Sequence, residues 1–357
     1  MPWHWIIFIG FVLLMLALDL GVFHRQSHVV GFGEAMRWSG VWVGLGLLFS
    51  IFVYYSYELH WFGVGHAIDA ADGALLTGKT AAVKYLTGYV VEKSLSVDNI
   101  FVIAMIFSSF AVPARYQHRV LFWGILGALV MRGAMIGVGA TLIAQFHWIL
   151  YVFGGFLILT ALKMFFVKEG ESDPQQSKLV KFIRRLMPVT AHYHGQHFMV
   201  KAGSPASCEL AEPGAKPCDD PEVQRVAPGT WMLTPLAVAL ILVEVTDLIF
   251  AVDSIPAIFA ITAEPYLVFT SNVFAILGLR SLYFALAGMI HRFRYLKPAL
   301  AAVLMIVGVK MLAASWLKGI FGVNFNFMIL GLIVAVLAIG VVASLCIPEK
   351  KSESPVH

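Results

Sequence analysis

Six acidic residues lie inside long apolar runs of this sequence, where charged residues are otherwise rare. They are Asp19, Glu92, Asp98, Glu244, Asp247 and Asp253. An ionised acid at the centre of a membrane-spanning helix costs about 2.5–3.5 kcal/mol on insertion scales. Acids kept at this cost usually mark an ion or proton pathway.

The residues around these acids favour a hard metal ion. Asn99 and Ser254 each directly follow an acid, and no Cys or His accompanies them in mid-span. Carboxylate and amide oxygens suit Mn²⁺, Ca²⁺ or Mg²⁺ better than Cu⁺ or Zn²⁺. We therefore predict a site for a transported metal, with Asp98 and Asp253 at its centre. The full expected set is Asp98, Asp253, Asp247, Glu92, Glu244, Asp19 and Asn99 as ligands, supported by Arg132, Arg280, Asn272 and Ser254.

A structural role is the alternative for some of these acids. Arg132 and Arg280 could pair with Glu92 and Glu244 and fix helix packing, although two arginines cannot neutralise six acids. Asp19 could equally well make a packing hydrogen bond.

The spacing of the acids constrains how they could meet. Asp247 and Asp253 are six residues apart, about 120° around a helix. They converge on one ligand only if the helix is broken near Pro256, since proline removes a helical hydrogen bond.

Composition decides the class of protein that carries these acids. Of 357 residues, 59% are hydrophobic and 13% are charged, and the mean hydropathy is +0.82. Soluble domains carry about 25% charged residues. Soluble enzymes, nucleic-acid binders and disordered scaffolds are therefore excluded as first hypotheses. We expect a membrane protein that is not an enzyme, with lipid, a metal ion and protons as partners and no nucleic acid.

About nine apolar runs are long enough to span a bilayer, which needs about 20 residues per helix. The predicted spans are 3–23, 38–58, 84–112, 118–142, 147–166, 232–261, 267–290, 296–317 and 325–347. Lys and Arg concentrate in alternate loops and in the C-terminal tail, which by the positive-inside rule are cytoplasmic. This predicts a multi-pass membrane protein with the N-terminus outside and the C-terminus in the cytoplasm.

The third and sixth runs form an internal repeat. VVEKSLSVDNIFVIAMIF (90–107) aligns with LVEVTDLIFAVDSIPAIFAIT (242–262) when Asp98 is placed on Asp253, and Glu92 then falls on Asp247. The predicted topology runs these spans in opposite directions, which is typical of secondary transporters with a midplane site. The expected organisation is 1–83 (spans one and two), 84–166 (first inverted repeat), 167–230 (cytoplasmic loop), 231–317 (second inverted repeat) and 318–357 (last span and tail).

The 167–230 segment is the one long loop of this prediction. Its stretch KLVKFIRRLM (178–187) places basic and apolar residues at helical spacing and is expected to lie on the inner leaflet. His192, His194 and His197 follow, with Cys208 and Cys218 beyond them. Their spacings match no zinc pattern, so a solvated loop with reduced cysteines is favoured over a metal sensor.

Four motifs resemble the TerC family of bacterial integral membrane proteins, and its Alx-like branch in particular. They are ALDLGVFHR around Asp19, EKSLSVDNIFV around Asp98, LVEVTDLIFAVDSIPAIFAIT around Asp253 and SNVFAILGLRSLYF around Arg280. The resemblance implies a multi-pass inner-membrane protein that exports manganese, similar to the wider LysE-type exporters. It also implies that the six acids correspond to the family's acidic motif positions. The sequence departs from the family pattern at 204–228, where a Pro-, Gly- and Cys-rich stretch intervenes.

Taken together, the residues and the resemblance favour a divalent-cation exporter, with Mn²⁺ as the expected substrate and Ca²⁺ as the next. Alternating access of two inverted units, with coupling to protons, is the expected mechanism. Two alternatives remain open: a membrane-bound redox or stress modulator, and a scaffold that delivers metal without transporting it. The oligomeric state also remains open.

Overall fold

A computed structural model of the chain describes residues 3–21, 31–65, 68–146, 148–166, 174–208, 220–286, 295–313, 316–317 and 325–346. Its long helices are α1 (Trp3–Gly21), α2 (Phe32–Glu58), α3 (Gly78–Ser109), α4 (Ala114–Gln145), α5 (Ile149–Phe166), α8 (Pro235–Phe259), α9 (Pro265–Ile276), α10 (Leu279–Leu286), α11 (Leu296–Leu312) and α12 (Phe325–Cys346). Between α5 and α8 lie α6 (Lys178–Leu186), β1 (Met199–Lys201), α7 (Pro221–Arg225) and β2 (Trp231–Leu233).

The protein is helical and built to cross a membrane. Among the described residues, six helical segments are long and apolar enough to span a bilayer: α2, α4, α5, α8, α9 with α10, and α12. The other three predicted spans overlap α1, α3 and α11. Helix α3 carries Lys84, Glu92, Lys93 and Asp98 along its length, and α11 has only 17 residues. Nine membrane crossings therefore remain a prediction.

The two helices that carry most of the acids begin at well-formed caps. The Thr77 hydroxyl accepts from the N–H of Thr80 at 3.3 Å at the start of α3. The Thr234 hydroxyl accepts from the N–H of Ala237 at 3.4 Å at the start of α8, where Pro235 occupies the first helical position. Both arrangements satisfy N–H groups that a helix leaves unpaired at its start.

Helix α8 is continuous through Pro256, so the expected break near this residue is wrong. Pro256 lies in the last turn of the helix, which ends at Phe259. Pro256 removes one helical hydrogen bond, to the carbonyl of Val252, and α8 continues for only three more residues. Asp247 and Asp253 consequently point in different directions.

The break occurs instead in the next predicted span. Helix α9 ends at Ile276 and α10 begins at Leu279. Between them Gly278 has φ of +81°, a conformation that glycine adopts without strain. The Lys93 ammonium donates to the carbonyls of Ala275 and Leu277 at 3.1 and 3.4 Å, which satisfies oxygens that the broken helix leaves free.

Helix α3 lies at the centre of the bundle. It packs against α2, α8, α9 and α12, while α4 packs against α8 and α5 against α11. The first helix of each predicted repeat unit thus packs against the second helix of the other unit, α3 against α9 and α8 against α4. The repeat and its inversion both remain predictions.

Contacts distinguish the two ends of the bundle. At the end of α3, the Tyr193 hydroxyl donates to the carbonyl of Phe110 at 2.7 Å, which ties the segment between α5 and α8 to the bundle; we call this the loop end. At the start of α3, the Glu58 carboxylate accepts from the N–H of Gly78 at 3.1 Å; we call this the far end. The sequence predicts the loop end to be cytoplasmic.

The segment at the loop end is folded where it is described. Strands β1 and β2 pair antiparallel, with Met199 opposite Leu233. Helix α6 buries Val180 and Ile183 and exposes Lys181, Phe182 and Arg185. This pattern agrees with the predicted amphipathic helix. The residues 209–219, which include Cys218, lie outside the described part of the chain.

Candidate functional site

Arg132, on α4, stands at the centre of a buried ion-pair cluster. Its Nε and Nη2 donate to the two carboxylate oxygens of Asp247 at 3.1 and 2.8 Å. Its Nη1 donates to Glu92, on α3. Arg132 is 3% exposed and Glu92 is fully buried, so the ion pairs lie in a low-dielectric interior. The predicted structural pairing of Arg132 with Glu92 is therefore present, and Asp247 joins it.

Two amide side chains complete this cluster, which we call the Arg132 cluster. Asn99, on α3, donates to an oxygen of Asp247 at 2.8 Å. The side-chain oxygen of Asn272, on α9, approaches Nη1 of Arg132 at 3.5 Å. Four helices of both predicted repeat units thus contribute one side chain or more. With both carboxylates ionised, the cluster carries one more negative than positive charge.

A small cavity opens beside this cluster. Its volume is about 20 Å³, enough for about one water molecule. Its polar lining comes from Ser96, Asn99, Arg132 and Asp247. The apolar lining comes from Ile103, Leu121, Gly124, Ile125, Ala128, Val243, Ile276 and Leu279. Most of these apolar residues lie on the loop-end side of Arg132 and Asp247 along their helices.

Several oxygens around this cavity have no hydrogen-bond partner within the described part of the chain. They include Oγ of Ser96 and Oδ1 of Asn99, both of which belong to residues 2% exposed. In the same cluster Oε2 of Glu92 is also unpartnered among the described residues. Buried polar atoms are rarely left this way, because each costs about 1–3 kcal/mol. These acceptors, next to a cavity and to two carboxylates, form a set that could bind a cation.

Glu244 lies near the cluster but outside it. It is three residues before Asp247 and therefore on the same side of α8. A Cβ atom placed on Gly127, in α4, would collide with the Glu244 carboxylate, so the two helices approach closely at this glycine. Oε2 of Glu244 is buried and lacks a partner among the residues described.

Asp253 points away from the Arg132 cluster. Its Oδ1 accepts from the Thr160 hydroxyl, on α5, at 3.2 Å. Ser254, its neighbour, is buried and its hydroxyl has no partner within the described ranges. The structure therefore places Asp253 at a different helix interface from Asp247, as the angle between them requires.

The remaining predicted site residues are not part of the Arg132 cluster as described above. Asp98 is half-buried on α3, and Arg280 is buried on α10 next to the break. Asp19 lies in α1, and its side chain is outside what the structure describes. In the described part of the chain, no three His, Cys, Asp or Glu side chains are close enough together to hold a metal ion. The structure thus joins Glu92, Asp247, Asn99, Asn272 and Arg132, and it does not join Asp98 with Asp253 in such a group.

Sequence reasoning missed three polar features. Ser96 lies four residues after Glu92, a helical spacing that could have indicated it. Lys93 directly follows Glu92, but its carbonyl partners at the α9–α10 break have no sequence signal of their own. Lys84 pairs with Asp69 and Asp72 at the far end. The sequence prediction placed Lys84 at the start of a span and both aspartates in the loop before it.

The fold and the cluster define a class of protein: a multi-pass α-helical membrane protein with charged groups buried between its spans. A family model described as "Integral membrane protein TerC family" matches residues 77–352. The chain belongs to this family, which confirms the predicted resemblance.

Related proteins cover nearly the whole chain. An uncharacterized membrane protein of Myxococcus xanthus is 44% identical over 99% of this chain and 97% of its own length. A protein of Escherichia coli strain K12 named "Putative membrane-bound redox modulator Alx" is 43% identical over 88% of this chain and 87% of its own. A Rickettsia bellii membrane protein is 39% identical over 86% of each chain. No solved structure matches this chain significantly.

Proposed function

We propose that this protein exports a divalent metal cation, with Mn²⁺ as its main substrate, across the bacterial inner membrane. The observation that carries the proposal is the set of unpartnered oxygens beside the cavity. Ser96 and Asn99 present oxygens to a space that the Asp247 carboxylate also lines. A cation bound there would satisfy acceptors that are otherwise costly to bury.

The donor types narrow the choice of ion. Hydroxyl, amide and carboxylate oxygens suit hard divalent ions such as Mn²⁺, Ca²⁺ and Mg²⁺. The family resemblance favours Mn²⁺ among these three, with Ca²⁺ next.

Arg132 then acts as a built-in counter-ion. Its guanidinium pairs with both Glu92 and Asp247 while no metal is bound, which leaves a net charge of −1 with both carboxylates ionised, and a bound divalent ion would compete with it for Asp247. Carboxylates must be deprotonated to bind metal, so metal binding releases protons from any that are protonated. Exchange of a metal ion for protons follows as the coupling that we propose.

The direction of transport is part of the proposal. The cavity extends from the Arg132 cluster towards the loop end, which the positive-inside rule assigns to the cytoplasm. A metal ion would enter from there and leave at the far end after the repeat units rearrange. Asp98 and Asp253 would serve as further ligands along this path.

Flux measurements test the proposal. Purified protein is reconstituted in liposomes, and Mn²⁺ uptake is measured with a fluorescent indicator inside. Asp247→Asn and Ser96→Ala should each lower uptake by about tenfold or more, since each removes an oxygen of the site. Glu222→Gln is the matched control, because Glu222 makes an exposed ion pair with Arg225 in the loop segment.

The competing hypotheses are separated in the same experiment. Undiminished Mn²⁺ uptake by folded Asp247→Asn, Asp98→Asn and Asp253→Asn variants would overturn the proposal. Wild-type liposomes that take up no Mn²⁺ would also overturn it, and would favour a redox modulator or a metal-delivery scaffold.

A further inference from the structure

A short segment between α2 and α3 closes the far end of the bundle. Residues 68–77, which we call the strap, form a compact turn in which the N–H of Asp69 donates to the carbonyl of Ala74 at 2.9 Å. The carboxylate of Asp69 accepts from the N–H of Ala71 at 2.9 Å, and that of Asp72 accepts from the N–H of Ala74 at 3.0 Å. The strap therefore fixes both carboxylates in position.

Lys84, on α3, binds both of these carboxylates. Its ammonium lies 2.7 Å from an oxygen of Asp69 and 2.7 Å from an oxygen of Asp72. Lys84 is 1% exposed and Asp69 is 2% exposed. Removing one partner from a buried ion pair leaves an uncompensated charge, so this link is hard to break one side at a time.

The strap also contacts the turn between α8 and α9 and the helix α12, both in the C-terminal half of the chain. Asp69 accepts from the Thr262 hydroxyl at 2.5 Å and from the N–H of Ala263 at 2.8 Å, both in the turn between α8 and α9. Asp72 accepts from the Asn326 amide, on α12, at 3.2 Å. One Asp69 oxygen is thus shared between Lys84 of the first repeat unit and Thr262 of the second.

A second buried lysine supports the same turn. The Lys310 ammonium, on α11, donates to the carbonyls of Ala260 and Ile261 at 3.1 and 3.4 Å. Ala260 and Ile261 follow the end of α8 at Phe259 and directly precede Thr262. The turn that the strap contacts is therefore held from two sides.

We propose that the strap is the outer gate of the transport path and that Lys84 is its latch. The existence of a transport path rests on the proposed function, whereas the contacts of the strap do not depend on it. Glu92 lies eight residues further along α3 than Lys84, about 12 Å at 1.5 Å per residue. The latch thus closes the path between the Arg132 cluster and the far end, while the cavity extends towards the loop end. Opening the far end requires the two repeat units to separate, which the shared Asp69 oxygen prevents.

Cysteine labelling tests the gate without any metal. The reporter is Thr87→Cys, one turn beyond Lys84 on α3, at a position 2% exposed. The background carries Cys208→Ser, Cys218→Ser and Cys346→Ser, which removes all three native cysteines. Right-side-out membrane vesicles are treated with a maleimide that does not cross membranes.

Lys84→Met should raise the labelling rate of the reporter by roughly tenfold or more, because the closed state loses its ion pair. Lys84→Arg keeps the charge and should leave labelling low. Lys79→Met is the matched control, since Lys79 is an exposed lysine on the same helix that stacks over Phe327 and makes no ion pair with the strap. It should leave labelling unchanged.

Unchanged labelling in a folded Lys84→Met variant would overturn the proposal, as would labelling from the cytoplasmic side alone. If Lys84→Met does not accumulate, Thr262→Val removes the hydroxyl contact to Asp69 and keeps both Lys84 and the Ala263 N–H, and a smaller rise in the same direction is expected. Labelling needs neither Mn²⁺ nor flux. A gate that fails this test therefore leaves the metal proposal standing, and a protein that moves no Mn²⁺ can still show the gate.

Discussion

Arg132 donates two parallel hydrogen bonds to Asp247, of 3.1 and 2.8 Å, while its third nitrogen donates to Glu92. Glu92 and Asp247 correspond in the predicted internal repeat, as do Asp98 and Asp253. One arginine therefore joins positions that the predicted repeat makes equivalent. Lysine could not reproduce this, because only a guanidinium presents donors in a planar fork.

Arg132→Met should destabilise the protein by about 3–5 kcal/mol, since it leaves two buried carboxylates without a counter-charge. The triple variant Arg132→Met, Glu92→Gln, Asp247→Asn should recover part of this loss. The loss and its partial recovery are both measured from the thermal unfolding of the detergent-solubilised protein, monitored by size-exclusion chromatography. Arg225→Met is the control, because its exposed pair with Glu222 is worth about 0–1 kcal/mol. Equal losses in Arg132→Met and Arg225→Met would contradict the prediction.

Gly278→Ala should disrupt the break between α9 and α10. Gly278 has φ of +81°, and an added Cβ would lie 2.5 Å from Cβ of Trp42 on α2. The backbone conformation alone costs about 1–3 kcal/mol for a residue other than glycine. Gly137→Ala, in α4, meets no atom within 4 Å and should be neutral or slightly stabilising. Similar unfolding temperatures for the two variants would show that the break is not required.

Much of the fold could be predicted from the sequence, because apolar runs report membrane helices directly. Each predicted span overlaps a helix, and the acid-bearing helices were identified from rare charges. The pairing of Arg132 with Glu92 was also anticipated as a structural alternative. These inferences depend on residue composition and on the length and spacing of apolar runs, which can be read directly from the sequence.

Other features depend on tertiary contacts that a sequence does not display. Pro256 suggested a break, yet α8 runs through it and ends three residues later, at Phe259. The actual break follows from the φ of Gly278 and from the donors of Lys93, which lies far away in the sequence. The role of Lys84 likewise appears only when the strap folds back on α3.

Thr160→Val tests whether Asp253 lies on the ion path. The Thr160 hydroxyl donates to Asp253 at 3.2 Å, and a hydrogen bond to a charged group is worth about 1.5–3 kcal/mol. If Asp253 binds Mn²⁺ during transport, losing this bond should change the KM for Mn²⁺ by about tenfold, with less effect on the maximal rate. Thr141→Val is the control, since the Thr141 hydroxyl donates to the carbonyl of Gly137 on an exposed face. An unchanged KM would place Asp253 outside the path.

The last prediction concerns pH and the folded segment at the loop end. Asp220 is fully buried and accepts from the N–H groups of Ala191, His192 and Glu222 at 3.0, 2.9 and 2.9 Å. Burial would raise the pKa of Asp220, but these backbone donors outweigh it and lower the pKa. Nε2 of His194 lies 3.2 Å from the same carboxylate, and burial lowers the pKa of His194 despite this contact.

The two shifts act in the same direction on stability. Below about pH 6.5 the unfolded segment binds a proton on His194 that the folded segment resists, so stability falls as the pH falls. The contribution of Asp220 is complete above about pH 4 and is lost only below that. Between pH 8 and pH 5, amide exchange at Ala191 and His192, corrected for its intrinsic pH dependence, should therefore become faster. His194→Gln should remove this trend, whereas His192→Gln should keep it. A trend that persists in His194→Gln would assign the pH sensitivity to another group.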